Sequence, residues 1–143
     1  MNKRVIVIDD NKDVRTILKR VLEVWGYDVI ICSYQAFCPS FLDSGCCCPE
    51  GYMCADIIMT DVKMPNMTGL EFVDMQKRKG CKAQNIAIMS GTWDVEEIAH
   101  AKRLDCVIFK KPLEIDELKK WIDACDKKVM PDRTLSTLPI SIQ

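Results

Sequence analysis

Short unbroken apolar runs alternate along this chain with segments whose apolar residues recur every three or four positions. The runs are Val5-Ile6-Val7-Ile8, Val29-Ile30-Ile31 within Asp28 to Cys32, Ile57-Ile58-Met59 up to Thr60, Ile86-Ala87-Ile88-Met89, and Cys106-Val107-Ile108-Phe109. Runs that are apolar on successive residues, rather than on alternate ones, suit strands buried on both faces. Between them, Val14, Ile17, Leu18, Val21, Leu22 and Trp25 keep a helical period. So do Leu70 and Val73, then Val95, Ile98 and Ala99 in a helix from about Asp94 to Arg103, and last Ile115, Leu118, Trp121, Ile122 and Cys125. Asn11 or Asp10 can cap the first helix and Gly26 can end it; Thr68 and Gly80 do the same for the helix that starts near Leu70.

Strand and helix in strict alternation predict an α/β fold, a parallel sheet covered by helices on both faces. The working strand order is 2-1-3-4-5, one of the two common orders for doubly wound sheets. Two segments break the pattern. Residues 34–55 are irregular: Tyr34 to Leu42 suits a short helix, and the thiol-rich stretch SGCCCPEGYMC reads as a loop. The segment Val129 to Gln143 holds two prolines and several Ser and Thr, and reads as a linker or extended arm. The expected organisation is one domain over 1–127 and a tail over 128–143.

Composition narrows this reading. The 143 residues are 48% hydrophobic and 29% charged, with a formal net charge of −1. Such a chain has an ordinary core and no overall charge to draw it to nucleic acid or an anionic membrane. The first apolar run is too short for a signal-peptide core, and no run approaches a membrane span, so the expected location is the cytoplasm. Nine cysteines without an export signal are expected to stay reduced.

The residues that end the strands carry the chemistry. Asp9 and Asp10 follow the first strand, Asp61 the third, Ser90 the fourth and Lys111 the fifth. In a parallel sheet all these ends lie along one edge, where open α/β sheets bind ligands. Asp61 alone would pass as a turn aspartate. Three carboxylates brought together repel one another unless a cation neutralises them. A hard divalent ion such as Mg2+ does so with oxygen ligands and leaves room for a phosphoryl oxygen, while a lysine and a hydroxyl hold the remaining ones.

Taken together, IDDN after the first strand, DVKMPNMTG after the third, Ser90 after the fourth and Lys111-Pro112 after the fifth resemble the response-regulator receiver domains (CheY-like) of two-component signal transduction. The resemblance runs from about Arg4 to Asp126. It implies a flavodoxin-like, doubly wound sheet of five parallel strands in the order 2-1-3-4-5. It implies a phosphoprotein of the phosphorelay type that is a regulator and not an enzyme, beyond slow autodephosphorylation. Asp61 is the implied phospho-acceptor, taking a phosphoryl group from a phosphohistidine of a sensor histidine kinase or phosphotransfer protein and forming an aspartyl phosphate. Asp9, Asp10, Asp61 and the backbone carbonyl of Lys63 are the implied Mg2+ ligands. Lys111 pairs with the phosphoryl group, Ser90 turns its hydroxyl towards it, and the Lys111–Pro112 bond is cis. A homodimer through the face made by the helix of 94–103, the fifth strand and the last helix is a further implication, as is an unspecified downstream protein.

The chain departs from that family in three places. Ile108 stands where an aromatic switch residue is usual, and Phe109 next to it is expected in the core, because a one-residue shift reverses the face of a strand. Asp105-Cys106 replaces the usual Gly-Ala before the fifth strand, so a different turn is expected. Cys38, Cys46, Cys47, Cys48 and Cys54 crowd a lengthened loop, which keeps open a phosphorylation-independent interaction module with a thiol metal or redox site. Lys63 and Thr92 are expected to flank the site, Lys110 to face solvent, and His100 to lie on the surface. An aspartate-nucleophile hydrolase of the haloacid-dehalogenase type requires D-x-D-x-T after the first strand, and Asp9 to Asp13 does not match it.

Overall fold

β-Branched and other bulky apolar residues pack well on a pleated surface, and each of the five apolar runs forms a strand of one sheet. The computed structural model describes residues 2–33, 48, 50–65 and 67–136. In chain order the elements are β1 (Arg4–Ile8), α1 (Lys12–Val24), β2 (Asp28–Cys32), β3 (Tyr52–Met53), β4 (Ile57–Asp61), α2 (Gly69–Arg78), β5 (Asn85–Ser90), α3 (Val95–Arg103), β6 (Val107–Lys110), α4 (Ile115–Lys128) and β7 (Thr134–Leu135). The main sheet runs β2-β1-β4-β5-β6, all parallel. This is the expected 2-1-3-4-5 order, with one short strand inserted in the numbering. The expected short helix at 34–42 lies outside the described residues.

Alternation along each strand divides the core in two. Val5, Val7, Ile57, Met59, Ala87, Met89 and Phe109 face α1 and α4, where Leu18, Leu22, Leu118, Ile122 and Cys125 are buried against them. Ile6, Ile8, Ile58, Ile86 and Ile88 face the other way, against Leu70, Phe72, Val73 of α2 and Ala101 of α3. Each such buried side chain contributes about 1.5–3 kcal/mol, so the sheet is held by two independent apolar layers.

Local signals set the helix ends. Asn11 caps α1 by accepting from the backbone N–H groups of Asp13 and Val14. Thr68 and Glu71 form a capping box at α2, and Asp94 and Glu97 form one at α3. Gly26 and Gly80, at φ +94° and +85°, terminate the first two helices. Asp105 adopts φ +58°. The turn before β6 therefore holds a left-handed residue although no glycine is present.

Three side chains expected inward are instead exposed: Ile17, Ile115 and Val95 on α3. Trp121 is half-buried and meets Phe109 edge-on at 5.7 Å. A helix face is broader than the sheet it covers, so the outer positions of the stripe overhang.

The tail does not run free at its start. β7 pairs in parallel with β3, Tyr52 beside Thr134 and Met53 beside Leu135, and Ser136 N–H donates to the Met53 carbonyl at 2.8 Å. Arg133 forms a fork on the buried carboxylate of Asp56, Nε to Oδ1 and Nη2 to Oδ2, each at 2.7 Å. Asp56 also accepts from the Arg4 backbone N–H at 2.9 Å. Within the stretch read as a loop, Tyr52–Met53 is thus a strand, and within the segment read as a linker or extended arm, Thr134–Leu135 is its partner.

Candidate functional site

The carboxyl ends of β1, β4, β5 and β6 are adjacent, and hydrogen bonding continues past them. Val62 N–H donates to the Met89 carbonyl at 2.9 Å and Lys111 N–H to the Ser90 carbonyl at 2.8 Å. These bonds carry the strand spacing into the loops, which is what brings the end residues together. One oxygen from each of Asp9, Asp10 and Asp61 lies within 4.8 Å of the others. Asp9 has no exposed surface and Asp61 is 6% exposed, whereas Asp10 faces solvent.

Asp9 is held from three sides. Its Oδ1 accepts from Asn11 N–H at 2.8 Å, its Oδ2 from Lys111 Nζ at 2.6 Å, and its backbone carbonyl from Arg15 Nη1 at 2.8 Å. Lys111 also lies 3.4 Å from Asp61 Oδ1, so one ammonium bridges two buried carboxylates. Burial raises the Asp61 pKa above the usual carboxylate value, and the charge of Asp9 adds to the rise; Lys111 opposes it. For Lys111, burial pulls the pKa down, but the hydrogen bond and charge of Asp9, with the charge of Asp61, outweigh it and leave the pKa raised. The Lys111–Pro112 peptide is cis.

Gly69 explains the glycine of the DVKMPNMTG stretch. Its N–H donates to the Val62 carbonyl at 2.8 Å, and a Cβ there would stand 2.1 Å from the backbone oxygen of Asp61. Only glycine allows α2 to start so close to the end of β4.

Ser90 is buried, but its hydroxyl donates to the Thr92 carbonyl at 2.7 Å and accepts from Thr92 N–H at 3.2 Å. It therefore turns along its own loop. Lys63 and Thr92 do flank the site and touch each other, Nζ to Oγ1 at 3.3 Å. Lys110 is exposed, and Phe109 is buried among the residues facing α1 and α4. Ile108 packs on the opposite layer, with Trp93 among the side chains there. His100 is not a free surface residue: its side chain is half-buried and lies 3.3 Å from Asp74 Oδ2 on α2.

Trp93 escaped the sequence reading. The Trp93 indole N–H donates to the Phe109 carbonyl at 3.1 Å, tying the loop after Ser90 to β6. An aromatic directly after the Ser90-Gly91-Thr92 turn was the available signal. Asn11 was seen as a helix cap, but its backbone also orients Asp9.

The chain belongs to the response regulator receiver domain family, whose sequence profile matches residues 5–123. It is 27% identical over 142 residues to Sporulation initiation phosphotransferase F of Bacillus subtilis, covering 92% of this chain and 96% of that protein. It is 32% identical over 111 residues to Transcriptional regulatory protein FixJ of Azorhizobium caulinodans, covering 77% of this chain and 48% of that one. With the CAI-1 autoinducer sensor kinase/phosphatase CqsS of Vibrio cholerae it shares 28% identity over 92 residues, 64% of this chain but 12% of the kinase. This chain thus spans nearly all of one relative and only a part of the other two. A response regulator receiver protein from Pseudomonas putida has the same fold, with a TM-score of 0.72 at 23% identity, covering 87% of this chain and 98% of that one. Chemotaxis protein CheY4 of Vibrio cholerae aligns with a TM-score of 0.68 at 22% identity, covering 87% and 99%. Receiver domains are signalling modules of two-component systems that meet histidine kinases or phosphotransfer proteins. No helix among the described residues is long and apolar enough to cross a membrane.

Proposed function

We propose that this chain accepts a phosphoryl group on Asp61 from a phosphohistidine of a histidine kinase or phosphotransfer protein. The observation that carries the reading is the convergence of three carboxylates within 4.8 Å, one of them 3.4 Å from Lys111. An Asp61 oxygen attacks phosphorus in line with the P–N bond; that bond breaks and the imidazole leaves with its electron pair and takes up a proton. Lys111 meets a phosphoryl oxygen, and Asp9 keeps the ammonium aimed there through its 2.6 Å bond. Ser90 turns its hydroxyl from Thr92 to a second oxygen once the phosphoryl group is in place. Positioning and charge stabilisation supply most of the rate.

The donor set fits Mg2+, since hard oxygens from Asp9, Asp10 and Asp61 stand close enough to share one small ion. The Lys63 backbone carbonyl is the further ligand proposed. When bound, Mg2+ neutralises the carboxylates and the charge on the phosphoryl oxygens. Thr92 and Lys63, two residues past Ser90 and Asp61 and joined at 3.3 Å, limit the path of water to the aspartyl phosphate.

Incubation with Mg2+ and acetyl phosphate, followed by intact-mass measurement, tests this. The wild-type chain gains one phosphoryl group and the Asp61→Asn chain none. A gain that survives Asp61→Asn, or no gain with either acetyl phosphate or a phosphorylated histidine donor, sinks the assignment.

A further inference from the structure

Of the cysteines that crowd the chain before β4, Cys38, Cys46 and Cys47 lie outside the described residues. Cys48 and Cys54 meet a third thiol that sequence spacing did not connect to them, Cys81, just past α2. Cys54 is 4% exposed and its thiol is hydrogen-bonded both to Cys48 and to Cys81. Cys48 and Cys81 are half-buried and pack against the same apolar layer. Cys81 opens onto a cleft of about 420 Å3 that is also lined by Lys77 and Lys82. The backbone N–H of Ala83 donates to its sulfur. Cys81 therefore meets both solvent and basic groups.

We propose that Cys81 and Cys54 form a redox-active pair, oxidised by a peroxide to a disulfide that ties the end of α2 to the entry of β4. The Cys81 thiolate attacks one peroxide oxygen; the O–O bond breaks, and the leaving hydroxide takes a proton to become water. Sulfur is oxidised to a sulfenic acid and the peroxide is reduced. The Cys54 thiol then attacks that sulfur: the S–S bond forms, the S–O bond breaks, and the departing hydroxide leaves as water with the Cys54 proton. Two thiols and one peroxide give one disulfide and two waters.

The order of attack follows from the surroundings. The hydrogen bond from Cys54 lowers the Cys81 pKa to about 7 against the opposing effect of burial, helped by the Ala83 N–H. Hydrogen bonding to Cys48 and Cys81, with burial, pushes the Cys54 thiol above its usual range. Burial raises Cys32 to about 12 and Cys106 and Cys125 to about 11. The thiolate is the nucleophile in such chemistry, so Cys81 reacts first and its hydrogen-bonded neighbour resolves it. A metal cage is the weaker reading. Among the described residues only the carboxylate trio brings three ligand atoms within 4.8 Å, so the three thiols do not converge on one ion.

The test uses the full reduced chain at neutral pH with hydrogen peroxide. Wild type is expected to lose two hydrogens, to yield a Cys54–Cys81 cross-linked peptide, and to recover on treatment with dithiothreitol. Cys54→Ser is expected to stop at a Cys81 sulfenic acid trapped by dimedone, and Cys81→Ser to form no cross-link to Cys54. Limited iodoacetamide labelling of unmutated protein gives a second measure, with Cys81 modified ahead of Cys32, Cys106 and Cys125 and half-maximal rate near pH 7. The proposal is overturned if another thiol is oxidised or alkylated first, or if Cys81 oxidises without joining Cys54. Zinc retained by anaerobically purified protein and protecting all three thiols also overturns it.

Discussion

Replacing Asp61 by asparagine removes one negative charge from a buried trio while keeping the side chain's shape. With an effective dielectric of about 20, carboxylates with one oxygen each within 4.8 Å of the other repel by about 3.5 kcal/mol. Lys111, 3.4 Å from Asp61, attracts it by about 5 kcal/mol on the same basis. These two largely offset each other. What remains is the cost of burying the Asp61 carboxylate, several kcal/mol at most in a relaxed protein, and screened repulsion from exposed Asp10. Asparagine avoids both and leaves Lys111 to Asp9 alone. The expected outcome without divalent ions at pH 7 is a variant about 1–2 kcal/mol more stable than wild type, or about 3–6 °C in Tm.

The pH dependence supplies the sharper check. Asp61 has a folded pKa above its unfolded value. Such a group favours folding fully below the unfolded pKa, and that contribution is lost as pH rises through the folded pKa. Wild type therefore gains on the variant as pH falls from 7 towards about 4, and the difference closes. Urea unfolding followed by tryptophan fluorescence in EDTA at a series of pH values measures both effects. A variant no more stable than wild type at pH 7, or an advantage undiminished at low pH, refutes the reasoning. Excess Mg2+ is expected to narrow or reverse the order, since binding at about 100 times Kd adds about 2.7 kcal/mol and the variant has one ligand fewer.

Four further outcomes are expected. Lys111→Met leaves the fully buried Asp9 without its cation and lowers stability by about 3 kcal/mol in urea unfolding. Gly69→Ala places a Cβ against the Asp61 backbone oxygen, which cannot move aside; about 3 kcal/mol is lost, and phosphoryl uptake from acetyl phosphate falls with it. Arg133→Met strands the buried Asp56 carboxylate and costs about 3 kcal/mol, and protease cleavage in the segment after α4 speeds up. Asp105→Gly relieves a positive-φ residue and raises Tm by an amount equivalent to about 1 kcal/mol.

The main sheet was legible because its strands are continuous apolar runs that need no partner to be recognised. The central strands β1, β4 and β5 are buried on both faces, while the edge strands β2 and β6 keep the apolar run with partly exposed residues. The helix ends were legible for a similar reason: Asn11, Thr68, Gly26 and Gly80 act on backbone groups within a few residues of themselves. The stripe along each helix was less complete as a guide. Val95 and Ile115 keep the period yet overhang the sheet, because burial depends on the width of the surface opposite and not on the helix itself.

Asp9, Asp10, Asp61 and Lys111 were determined by the sequence, in that residues closing parallel strands must share one edge. Tertiary structure alone decided how they are used. One lysine bridges two carboxylates because β1, β4 and β6 lie within reach across the sheet, and Ser90 turns along its own loop because the Thr92 backbone offers its hydroxyl both an acceptor and a donor. The partners that escaped the sequence are all remote in chain: Arg133 with Asp56, Thr134–Leu135 with Tyr52–Met53, Cys54 with Cys81. Periodicity and capping are local signals, and they carry no information on which distant segment returns to an edge. A short parallel pairing or a thiol contact gains its energy only after the sheet has set the distance, so it leaves no pattern in either segment to be read beforehand.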